Sequence, residues 1–104
     1  MATFSENSNY TVLVFYVNER RSVGESLIAE FLRLGFRSSG AATDFSELGS
    51  YRDRHRSGDT WISYTERGEA RLDDVVAILG DEVPVKGSGL VRSMQRGDLQ
   101  ILLF

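Results

Sequence analysis

The chain has no cysteine, one proline (Pro84) and one histidine (His55). Without cysteine there is no disulfide framework, no thiolate zinc site and no thiol nucleophile. A single histidine leaves imidazole-based acid–base chemistry with one residue to draw on. One proline against ten glycines means that turns are made with glycine rather than with a locked φ. No apolar run reaches the ~18–20 residues that span a bilayer. The first nine residues are polar and lack the cationic start and apolar stretch of a secretory leader. They are expected to form a flexible arm, 1–9, and the protein to work in the cytoplasm, away from membranes.

Lysine is scarce too: of twelve cations, eleven are arginine and only Lys86 is not. The net charge of −3 argues against bulk attraction to nucleic acid or anionic lipid. The cations are nevertheless clustered. Tyr51-Arg52-Asp53-Arg54-His55-Arg56 sets the one histidine among three arginines, with Arg20-Arg21 and Arg92/Arg96 as further pairs. Guanidinium forks onto carboxylate or phosphate and stacks on aromatic rings, so these positions are candidates for contact with a partner.

A chain of 104 residues forms one domain, taken as 10–104. Residues 10–17, Tyr-Thr-Val-Leu-Val-Phe-Tyr-Val, are β-branched, aromatic or aliphatic on both faces, which predicts a central strand. Ser22 and Glu25 have capping-box spacing, Leu27, Ile28, Phe31, Leu32 and Leu34 follow at helical spacing, and Gly35 ends the run, predicting a helix over 22–34. A second strand is expected within 36–45 and a long polar loop over 46–58. A strand at 60–65, a helix at 69–79, a short extended piece at 83–85, a cationic connection at 86–97 and a last strand at 99–104 complete the reading. The order β-α-β-β-α-β predicts an α+β, ferredoxin-like domain. Its sheet would be antiparallel in the order 4-1-3-2, with two helices on one face and room for an extra hairpin before the last strand.

Three segments resemble the RNA-recognition-motif family, one branch of that plan. Val14-Phe15-Tyr16-Val17-Asn18 is similar to its first strand, Leu27, Phe31 and Gly35 to its first helix, and Trp61-Ile62-Ser63-Tyr64 to the second half of its third-strand motif. The resemblance implies single-stranded RNA or DNA stacked on Phe15 and Trp61. Asp59 and Ser57 stand where the family carries a third ring and a basic residue.

Other candidates read more plainly. His55 with Asp53 or Asp59 could serve a small hydrolase as general base, but no nucleophile lies nearby in sequence. Asp73 and Asp74 point about 100° apart on a helix and do not converge on a cation. Lys86-Gly87-Ser88-Gly89 lacks the rest of a P-loop. No enzyme activity, metal or cofactor is therefore expected. The composition favours a non-enzymatic binding module, a small regulatory or inhibitory protein that docks on a protein partner. Its expected contacts are Tyr51, Arg52, Arg54, His55, Arg56, Arg20, Arg21, Arg92 and Arg96 as a rim, with Phe15 and Trp61 on the sheet face. Single-stranded nucleic acid is the alternative. Self-pairing into a homodimer along the apolar last strand is a variant of the first reading.

Overall fold

A computed structural model describes residues 4–44, 56, 58–92 and 97–104. Its elements are α1 (Phe4–Asn7), β1 (Thr11–Tyr16), α2 (Arg21–Arg33), β2 (Arg37–Ala42), β3 (Thr60–Tyr64), α3 (Leu72–Leu79), β4 (Gly87–Leu90) and β5 (Leu99–Leu103). One-turn 3₁₀ helices at Asn18–Arg20 and Gly68–Arg71 lead into α2 and α3.

The class is α+β, with the two longer helices on one face of a five-stranded sheet. The sheet is mixed, not the antiparallel one expected, and its order is β2-β1-β5-β3-β4. β1 runs parallel to β2 and to β5, and β3 runs parallel to β4; only β3 and β5 are antiparallel. The chain thus builds two βαβ units, β1-α2-β2 and β3-α3-β4, facing in opposite directions, and β5 joins them down the middle. The reason is visible in β5 itself. Leu99, Ile101 and Leu103 are buried against the helices, and Leu102 is buried on the other face. A strand apolar on both faces belongs inside a sheet. The homodimer route along this strand is therefore closed, because each of its edges already has a neighbour.

Alternation along β1 sends Val12, Val14 and Tyr16 to the helix side, where Leu27 and Phe31 of α2, Val75 and Leu79 of α3, Phe36 and Ile62 complete the core. Each large side chain fully buried contributes roughly 1.5–3 kcal/mol. Gly24 of α2 lies against the Tyr16 ring, so that the helix comes close to β1. α2 begins at Arg21 with no side-chain cap, one residue before the expected Ser22 box. Its end is as expected: Gly35 takes φ 102°, its N–H bonds Leu32 O at 3.1 Å, and the Phe36 N–H bonds Phe31 O at 3.0 Å. These two bonds form a Schellman closure. The helix expected at 69–79 divides into the 3₁₀ turn and α3. The extended piece expected at 83–85 is displaced to β4 at 87–90. Ahead of β1, Asn7 is buried and its Nδ2 donates to Leu34 O at 2.8 Å, tying the start of the chain to the end of α2. Among the described residues no helix is long and apolar enough to cross a membrane.

Candidate functional site

The sheet face turned away from the helices carries a transverse row of matched residues that includes both rings. Ala41 pairs with Phe15, Phe15 with Leu102, Leu102 with Trp61, and Trp61 with Gly87. The two rings singled out from the sequence therefore share a face, separated by one leucine. The row is not a bare platform. Leu13, Leu102 and Phe104 keep only 5%, 5% and 6% of their exposure, while Phe15, Val17 and Trp61 are half-buried around them.

Trp61 lies across β4. A Cβ on Gly87 would sit 2.7 Å from its Cζ3, and one on Gly89 3.1 Å from its Cζ2. The glycines of the Lys86–Gly89 segment thus make a seat for an indole rather than a cradle for phosphate. The residue before that seat, Lys86, donates its backbone N–H to Thr60 O at 2.8 Å. Its Nζ stands 3.1 Å from Asp59 Oδ2, which also accepts the Arg56 N–H at 2.8 Å.

Arg20 arrives at the same corner from the turn after β1. Its Nη1 lies 2.8 Å from Asp59 O, 3.0 Å from Thr60 Oγ1 and 3.3 Å from Gly58 O. Burial lowers the pKa of this guanidinium, and the charge of Asp59 partly offsets that. Arg20 is thus a clamp between the β1 exit and the β3 entry. Arg21, one residue on, is exposed, with Asn18 Oδ1 at 3.3 Å and Glu25 Oε1 at 4.0 Å. Phe104 closes the corner, its N–H on Asp59 O at 2.9 Å and its carbonyl accepting from Gly58 at 2.7 Å.

The expected arginine rim is divided by this topology. Arg20 and Arg56 meet at the β3 entry, and Lys86 joins them, whereas Arg21 turns to Asn18 and Glu25. Arg92 follows β4 at its far end, on the opposite pole of the sheet. Tyr51, Arg52, Arg54, His55 and Arg96 lie outside the described residues. Lys86 was missed as a partner of the cluster because its segment reads from sequence as a cationic connection, with no local sign that it pairs with β3.

The opposite pole holds a second arginine group with a structural task. The guanidinium carbons of Arg67 and Arg71 lie 4.4 and 5.3 Å from the centre of the Tyr10 ring. Arg67 also reaches Asp98 Oδ1 at 3.0 Å and Asn9 O at 2.6 Å. Burial works against the Arg71 charge, but its hydrogen bonds to Asp74 and Tyr10 outweigh it and its pKa is raised. Beside β1, Val17, Asn18, Glu19, Ala42, Thr43 and Asp44 line a crevice of ≈ 410 Å³ at the carboxyl ends of two parallel strands. Among the described residues no group of three or more His, Cys, Asp or Glu side chains is placed to hold a metal ion.

Comparison of the chain with family models, with curated proteins and with solved structures finds no match in any of the three.

Proposed function

We propose that the protein is a non-enzymatic binding module, a small cytoplasmic regulator or inhibitor that docks on an acidic patch of a protein partner. The docking surface is the corner where Arg20, Arg56 and Lys86 meet the Trp61 edge of the sheet. One observation carries this reading: a half-buried tryptophan seated on two glycines, with a lysine one residue from that seat and an arginine anchored on the neighbouring turn. A flat, rigid ring flanked by cations is the usual composition of an interface hot spot. The corner is also rigid, because Arg20, Asp59 and Phe104 tie three chain segments together, so little ordering is lost on binding.

The test is capture of a partner from the native host with the wild-type chain and with Arg56→Glu/Lys86→Glu. The double reversal is expected to abolish capture while moving the melting temperature little, since exposed charges contribute little to stability. Retained capture by the reversed variant would refute the corner.

Single-stranded nucleic acid is the second reading. It is favoured by the placement of Phe15 and Trp61 on one face across Leu102. Stacking would contribute roughly 1–3 kcal/mol per base, and affinity would fall steeply with salt. No binding to mixed single-stranded oligonucleotides at low salt removes this reading.

A further inference from the structure

Among the described residues the two edges of the sheet are β2 and β4. β4 lies under Trp61, whereas β2 is open along its length, every residue of Arg37–Ala42 being exposed except the half-buried Ser38. Edge strands are usually guarded by lysine, proline, a bulge or inward charges. Ser38-Ser39-Gly40-Ala41-Ala42 has none of these.

The direction of its hydrogen bonds follows from the register. Arg37 donates to Tyr10 O at 3.1 Å and Thr43 to Tyr16 O at 2.7 Å, so the odd-numbered residues face β1. The N–H and C=O groups of Ser38, Gly40 and Ala42 therefore point away from the sheet. These three residues are symmetric about Gly40.

We propose that β2 is a self-association edge, on which a second copy of this chain pairs its own β2 in antiparallel fashion about a two-fold axis at Gly40. In that register Ser38 faces Ala42 of the second copy, Gly40 faces Gly40, and each pair exchanges both of its hydrogen bonds. Ser39 faces Ala41, so no bulky or like-charged side chains meet along the strand. The ends complement each other: Arg37 of one copy comes opposite Thr43 and beside Asp44 of the other.

The helix layer fits the same axis. α2 packs over β1 and β2 together. Strands ~4.8 Å apart would set the two α2 helices about 9–10 Å from each other, within the ~8–10 Å of packed helices. Ile28 lies over Gly40, since its Cδ1 would be 2.9 Å from a Cβ there. Leu32, one turn further along the same side of α2, is 50% exposed. The pairing covers both, which accounts for an apolar side chain left open beside an open edge.

The experiment measures the mass of the full chain by sedimentation from micromolar to millimolar concentration, with residue-resolved amide exchange. The expected wild-type result is a concentration-dependent dimer in which Ser38, Gly40 and Ala42 gain protection, while Ser39 and Ala41 are protected at every concentration. Ala42→Pro removes one outward donor and leaves the β1 ladder intact, a position where an edge strand tolerates proline. It is expected to weaken the dimer by more than about tenfold. Ser39→Lys/Ala41→Lys sets lysine against lysine and is expected to give a folded monomer. It decides the matter if the proline variant fails to fold. A wild-type monomer at all concentrations, a dimer that survives the double lysine variant, or a gain in protection on dimerisation that does not fall on Ser38, Gly40 and Ala42 would overturn the proposal.

Discussion

The Arg20 guanidinium is held by oxygens of residues 58–60, so its replacement acts on stability before it acts on any partner. Arg20→Ala leaves those acceptors without their charged donor and is expected to destabilise by about 1–3 kcal/mol. The change is read as a lower denaturant midpoint at unchanged slope. Arg20→Lys, which cannot fork, is expected to recover part of the loss. The exposed pair Glu30–Arg33 carries the pH dependence at this scale. The hydrogen bond from Arg33 holds the Glu30 carboxyl below its ordinary value. A lowered folded pKa means that the pair contributes above the ordinary carboxylate value and that the contribution is lost as pH falls through the lowered one. Melts of wild type and Glu30→Gln should therefore differ slightly at neutral pH and converge in acid. Sequence could supply the list of cations but not their acceptors. Arg20 and Asp59 are far apart in the chain, and no local pattern reports that they meet.

Among the elements, α2 was the most legible, because everything that makes it is local. Leu27 and Phe31 lie on one face, and Gly35 closes the end in a conformation that a Cβ disfavours. Gly35→Ala is expected to lower stability by about 1 kcal/mol, as judged by denaturant melts. β4 was illegible for the opposite reason. Gly-Ser-Gly-Leu has no strand propensity of its own, and it becomes a strand because Trp61 covers it and β3 pairs with it. Gly87→Ala places a methyl against that indole and should shift tryptophan fluorescence and destabilise the protein, whereas Ser88→Ala, on an exposed position between the two glycines, should do neither. Of the arginines named from the sequence, Arg20 and Arg56 both meet the Asp59 segment, Arg21 does not, and Arg92 is sent to the other pole by the parallel course of β4. β5 carried its own signal, since it is apolar on both faces, as is β1. Chain order had suggested an edge for it instead.

At the scale of the molecule, two βαβ units are held together by one strand. β1 and β3 have no pairing with each other; each pairs with β5. A chain ending at Gly97 is therefore expected to lose its cooperative thermal transition, not merely to melt earlier. A synthetic peptide spanning Asp98–Phe104 should restore the transition when added back, and failure of both effects would mean that the halves can close on their own. Because β5 follows the other four strands in the sequence, the ribosome delivers the keystone after the blocks it must lock. Until then the nascent chain carries two half-sheets whose greasiest borders face a gap.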